Sequence, residues 1–138
     1  MFVKRYRSHK SAVCALEVSP AGDLCATMCH DGTAKVYDVS TFDMIVMLRL
    51  AFVPGCCAFL AHRRASERKL AISERDAPRI HIFDVGSGSN EALRTLEDVH
   101  QAPVTCMRAN AAHGTVCPAL RLASCPSYVP PRFAFLCP

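Results

Sequence analysis

The chain has 138 residues, 51% apolar and 20% charged, a balance that excludes a disordered or fibrous chain and fits one ordinary globular domain. Its 16 Lys and Arg against 12 Asp and Glu give a net charge of +4, too slight by itself to imply nucleic acid. With no Trp and 7% aromatic residues, the core must be mostly aliphatic and thiol-bearing.

The opening MFVKRYRSHK has charge but no apolar stretch behind it, so it does not read as a secretory signal. The longest apolar run, MIVMLRLAFVPGCCAFLA, is broken by Arg49, Pro54 and Gly55 and predicts two strands and a turn, not a membrane span.

From there the chain alternates. AVCALEV (Ala12–Val18) predicts a first strand, and SPAGD a turn rich in Pro and Gly. LCATM (Leu24–Met28) predicts a second strand, HDG a tight turn, and TAKVYDV (Thr33–Val39) a third strand. STFD turns the chain again, and MIVMLRL (Met44–Leu50) predicts a fourth strand. The pattern returns in CCAFLA (Cys56–Ala61), KLAIS (Lys69–Ser73), RIHIFDV (Arg79–Val85) and EALRTLEDV (Glu91–Val99). Pro54–Gly55 is read as a turn. GSGSN (Gly86–Asn90) is read as a surface turn, because a phosphate loop needs a G-x-x-x-x-G-K-[ST] string and a helix after it.

YDV ends at Val39 and FDV at Val85, a period of 46 residues, and His9 and His100 each precede a new first strand. Four short strands per repeat of this length predict an all-β chain made of antiparallel β-propeller blades, about two complete and a third begun at APVTCMR (Ala102–Arg108). From about Ala111 the pattern fails, and five of the nine prolines and three of the nine cysteines fall in this last stretch. Proline cannot donate to a strand ladder. The expected division is therefore 1–110 for the repeats and 111–138 for a poorly structured Pro/Cys-rich tail, whose composition would suit a wrong gene-model end.

Nine cysteines with no C-x-x-C pair lack the usual zinc-site signature. Cys14, Cys25, Cys29, Cys56, Cys57 and Cys106 sit in apolar runs and are read as reduced thiols acting as small hydrophobes, in a reducing intracellular compartment. His9, His30, His62, His81, His100 and His113 are scattered, so no metal and no cofactor is expected; His81 is read as alternating outward from its strand. The basic clusters Lys4–Arg5–Arg7–Lys10 and Arg63–Arg64–Arg68–Lys69 lack interleaved aromatics and are read as solvated loops, with no direct nucleic-acid contact.

HDGTAKVYD (His30–Asp38) poses the functional question, because its acid and histidine could belong to a catalytic loop or to a structural corner. Its unit resembles a WD40 repeat. In that family a His before the first strand, a Ser or Thr on the second, an Asp in the next turn and a Trp on the third form a hydrogen-bonded tetrad. The resemblance places these roles on His9, Thr27, Asp31 and Tyr37, with Asp31 accepting from the His9 ring and His9 bonding Thr27. Tyr37 stands in for Trp. In the second unit the counterparts are Ser73, Phe83 and Asp84, with Ala77 (and Asp76 beside it) at the turn-acid position. His9, Thr27 and Asp31 have the residue types of a catalytic triad but the spacing of the structural tetrad, so no catalytic residue is assigned.

A narrower resemblance runs from Phe2 to about Asn110. FVKRYRSH, KVYDVSTFDMIVMLRL, FVPG and HIFDVGSGSNEAL resemble the WD40 region of nuclear cyclophilins, a peptidyl-prolyl cis-trans isomerase family with an N-terminal WD40 propeller. The resemblance implies a protein-interaction scaffold in the nucleus, with spliceosomal or chromatin-associated proteins or peptides as partners and no membrane. The F-H-R and F-M-x-G-G-D-like strings of the isomerase domain do not occur here, so this chain is expected not to be an enzyme. The alternative is a truncated product of the isomerase gene, carrying the isomerase label at family level.

Overall fold

The computed structural model describes residue 5 and residues 7–60, 68–97, 100–110 and 115–120. These form ten strands: β1 (Val13–Val18), β2 (Leu24–Cys29), β3 (Thr33–Asp38), β4 (Met44–Arg49), β5 (Pro54–Leu60), β6 (Lys69–Glu74), β7 (Ile80–Asp84), β8 (Arg94–Leu96), β9 (Val104–Asn110) and β10 (Thr115–Leu120). They pair into two four-stranded antiparallel sheets, β1-β2-β3-β4 and β5-β6-β7-β8, and a β9-β10 pair. Strands β1, β5 and β9 lie side by side, so the sheets stack as successive propeller blades. The expected all-β architecture of two blades and the start of a third is the one observed.

Local chemistry sets the corners. Ser19 Oγ accepts from the Leu24 amide at 3.0 Å, and Gly22 turns with φ of 77°. Gly32 closes the β2–β3 turn at φ of 78°, a conformation that disfavours a Cβ, and a Cβ there would also meet the Leu50 carbonyl at 3.3 Å. Asp38 Oδ1 accepts from the Ser40 and Thr41 amides at 2.7 and 3.1 Å, organising the β3–β4 turn.

Two elements differ from expectation. Pro54 and Gly55 open β5 and do not form a turn: Pro54 is the first strand residue, where a missing N–H is tolerated, and the register breaks between Pro54 and Cys57. Gly55 fits against β6 so closely that a Cβ would lie 3.0 Å from Ser73 Oγ. Within the stretch expected as a poorly structured tail, Thr115–Leu120 forms a strand that pairs with β9, Pro118 standing opposite Met107. Among the described residues β10 is paired with β9 alone, and an edge strand is where proline can be accommodated. The rest of that tail, from 121 on, lies outside the described residues.

The core sits between blades. Leu24, Ala26, Met28, Ala34, Val36 and Leu48 of the first blade share one cluster with Cys57, Phe59, Leu70, Ile72, Phe83 and Val85 of the second. The opposite face of the second blade (Ala58, Ala71 and Ile80) clusters with Val104 and Met107 of β9. Successive strand residues point to opposite faces, so a blade covered on both sides has a strand buried almost without interruption, as β6 is from Leu70 to Glu74. Among the described residues, the first blade is covered on one face only. Its other face carries Leu16 (60% exposed) and Val18 (47%), and a hollow of about 390 Å³ lined by Cys25, Thr27, Tyr37, Val39 and Phe42.

Strand pairing also corrects the alignment of the two blades. Thr27 stands opposite Lys35, and Cys25 opposite Tyr37. In the second blade Ile72 stands opposite His81, and Leu70 opposite Phe83. With Phe83 set at the Tyr37 position, the register puts Ile72, not Ser73, at the Thr27 position. The connection from Glu74 to its partner Arg79 is one residue longer than that from Cys29 to Thr33. A fixed 46-residue period overlooks that extra turn residue.

Candidate functional site

The polar residues singled out in the first blade meet at one end of its sheet. His9 lies just before β1, Thr27 on β2, Asp31 in the β2–β3 turn and Tyr37 on β3. His9 Nε2 and Thr27 Oγ1 are hydrogen-bonded at 2.8 Å. Between His9 and Asp31 the hydrogen bonds run through Thr33, a residue the sequence reading missed. Thr33 Oγ1 donates to Asp31 Oδ1 at 2.6 Å and lies 3.3 Å from His9 Nδ1. The Thr33 amide also bonds Asp31 Oδ1, at 3.0 Å, and the Lys10 amide donates to Asp31 Oδ2 at 3.2 Å. An Asp with a Thr two residues on is an Asx-turn pattern, and that was the available signal. Tyr37 Oη pairs with Ser8 Oγ at 2.7 Å, and the buried Lys35 ammonium donates to the Ser8 carbonyl.

This network fixes charge. The Thr33 hydroxyl above all, then the Lys10 amide, the Cys29 thiol and the Thr33 amide, hold the Asp31 carboxyl well below the usual carboxylate range against the opposing effect of burial. Burial, and then the Lys35 charge, push the His9 imidazole below its ordinary value, with Asp31 opposing. Burial likewise lowers His100, whose Nε2 is buried without a hydrogen-bond partner among the described residues. A depressed histidine binds its proton less readily folded than unfolded. Its contribution to stability is therefore full above the unfolded value of about 6.5 and is lost as pH falls through the folded one. The urea midpoint is expected to be lower at pH 5.5 than at pH 7.5, with the difference reduced in His100→Gln.

The second blade is built differently. Ser73 faces the third blade, fully buried, accepting from the Cys56 amide at 3.0 Å with Cys56 Sγ at 3.2 Å. Phe83 is buried in the inter-blade core, and Asp84 Oδ1 accepts from the Gly86 amide at 2.8 Å, making a turn. Asp76 is exposed and Ala77 partly buried in the β6–β7 turn. His81, expected to point outward, is instead held inside. Its Nε2 lies 2.8 Å from Glu74 Oε1, its Nδ1 3.0 Å from Thr95 Oγ1, and its ring stacks on Phe52 at 4.3 Å. Arg79 donates to the same Glu74 carboxylate at 3.0 Å.

Of the basic clusters, Arg5, Arg7 and Lys10 are exposed and Arg68 is 3.4 Å from Asp23, while Lys4, Arg63 and Arg64 lie outside the described residues. His62 and His113 also lie outside them. His30 Nδ1 lies 3.2 Å from the Arg75 guanidinium. His9, Cys29 and Asp31 offer donor atoms that all lie within 4.8 Å of one another.

Stacked four-stranded antiparallel sheets, with a His–Thr pair and a turn aspartate at one blade end, define a WD40-repeat segment of a β-propeller. Residues 1–38 match the family model described as WD domain, G-beta repeat. More particularly, the chain is similar to the WD repeat-containing cyclophilin-type isomerases. It is 38% identical over 115 residues to Peptidyl-prolyl cis-trans isomerase CYP71 of Arabidopsis thaliana, covering 83% of this chain and 18% of that protein. It is 36% identical over 115 residues to human Peptidylprolyl isomerase domain and WD repeat-containing protein 1, with the same shares, 83% and 18%. To Peptidyl-prolyl cis-trans isomerase 9 of Schizosaccharomyces pombe it is 29% identical over 107 residues, 78% of this chain and 17% of that protein. The chain thus spans under a fifth of the length of these relatives. Among the described residues no helix is long and apolar enough to cross a membrane.

Proposed function

We propose that this chain acts as a WD40 protein-interaction scaffold in the nucleus, with spliceosomal or chromatin-associated proteins as partners and without isomerase chemistry of its own. The observation that carries the reading is the blade pair itself, similar over most of the chain to WD repeat-containing isomerases. WD-type blades present loops and strand edges to other proteins. His9, Thr27, Asp31 and Tyr37 serve this function by ordering the first blade. Their hydrogen bonds join the segment before β1 to β2, β3 and the turn between them, which suits a structural clamp better than a nucleophile and its base. In the second blade Ile72, Phe83 and Asp84 do the corresponding work by packing and turn closure, with Ser73 supporting the opposite face. The repeat region is taken as 1–110, together with β10.

Two readouts test this together. Added to a model Xaa-Pro peptide, the chain should leave the isomerisation at its uncatalysed rate, with relaxation over tens to hundreds of seconds. Expressed with a tag, it should concentrate in the nucleus and label RNA-processing or chromatin proteins in its proximity. Acceleration of the isomerisation, or exclusion from the nucleus, would sink the reading.

A further inference from the structure

We propose that His9, Cys29 and Asp31 form a binding site for Zn²⁺ at the end of the first blade. The proposal goes beyond the clamp described above, because it adds Cys29 and a ligand. The three donors come from three places: the segment before β1, the last residue of β2, and the β2–β3 turn. Nothing in their spacing resembles a zinc motif; strand pairing and the turn bring them together.

The donor set selects the ion. An imidazole nitrogen, a thiolate sulfur and a carboxylate oxygen are all zinc ligands, whereas Mg²⁺ and Ca²⁺ are poorly served by sulfur. Bonds of roughly 2.0–2.3 Å in a tetrahedron place neighbouring ligand atoms about 3.3–3.8 Å apart. The observed donors, all within 4.8 Å of one another, need only a small inward adjustment.

The surroundings orient the ligands as zinc sites require. Thr27 holds His9 Nε2 at 2.8 Å, which leaves Nδ1 as the ligating nitrogen and fixes the ring plane. Nδ1 faces the Thr33 hydroxyl at 3.3 Å, the longest contact in the network, so a metal would displace the weakest bond. The amides of Lys10 and Thr33 hold the Asp31 carboxylate in place. Cys29 is fully buried while Asp31 is exposed, so water or the Thr33 hydroxyl can complete the coordination from the solvent side. On binding, the Cys29 thiol releases its proton to solvent, and the sulfur lone pair forms the Zn–S bond with no change of oxidation state.

The test uses the full chain, freed of metal by chelation and titrated with Co²⁺ and then Zn²⁺. One equivalent of Co²⁺ should give a thiolate-to-cobalt charge-transfer absorption, bleached by one equivalent of Zn²⁺. Cys29→Ser should abolish the band, Asp31→Asn should weaken binding at least about tenfold, and Cys25→Ser should change nothing. Far-UV circular dichroism checks that each variant is folded. Should Cys29→Ser not fold, zinc-edge X-ray absorption on the unmodified chain decides, with one sulfur and otherwise nitrogen or oxygen neighbours expected. No band in the unmodified chain, a band that survives Cys29→Ser, or a zinc shell with no sulfur or several would each overturn the proposal.

Discussion

Ile72→Ala is expected to lower the unfolding free energy by about 3–4 kcal/mol, while Leu16→Ala changes it by less than about 0.5 kcal/mol. Both are aliphatic strand residues, and a hydropathy profile would rank them alike. Ile72 is fully buried between the first two blades, in the cluster with Leu24, Met28 and Phe83. Removing its side chain deletes contacts on a surface whose neighbours are fixed by strand pairing, so the cavity cannot collapse. Leu16 lies on the uncovered face of the first blade at 60% exposure. Chemical denaturation of the two variants at constant m-value measures the contrast. Equal losses, or a larger loss at Leu16, would mean that the covered and uncovered faces are assigned the wrong way round.

Glu74→Ala is expected to cost about 2–3 kcal/mol, more than any other polar substitution in the second blade. The Glu74 carboxylate is nearly buried and receives both His81 Nε2, at 2.8 Å, and Arg79, at 3.0 Å. Truncating it leaves a largely buried imidazole beside Phe52 with no acceptor on that nitrogen. The conservative Glu74→Gln keeps an acceptor for one donor and should recover roughly half of the loss. A double-mutant cycle with His81→Leu isolates the pair, and a coupling energy near zero would show that the carboxylate acts on something else.

These two residues mark the boundary of what the sequence disclosed. The strands and corners were legible, because alternation and the clusters SPAGD, HDG and STFD are local signals. The His9–Thr27 contact was legible through resemblance to a family with a fixed spacing. Pairing register was not. The identity of the residue equivalent to Thr27 in the neighbouring blade depends on turn length, and one added residue between Glu74 and Arg79 moved the position from Ser73 to Ile72. His81 was misjudged for a similar reason. Alternation said which face it occupies but not that Phe52 and Glu74 wait there. Thr33 went unnoticed, and Cys29 was read only as a small buried hydrophobe, because each looks like an ordinary strand residue until the turn folds back on His9. Pro54 and Pro118 were read as breaks, although an edge or a strand start accommodates a missing donor.

The extra residue in the β6–β7 turn bears on how such chains change over generations. An insertion inside a strand would turn every following side chain over, exchanging core for solvent until the next corner. Placed in a turn, the same insertion is absorbed before pairing resumes, and Leu70 still meets Phe83 as Cys25 meets Tyr37. Each corner therefore works as a firebreak against frameshifts in side-chain orientation. Descendants of one ancestral blade can drift in length at their corners while their inward faces remain interchangeable, and kinship among blades is better traced by who stands opposite whom than by counting residues.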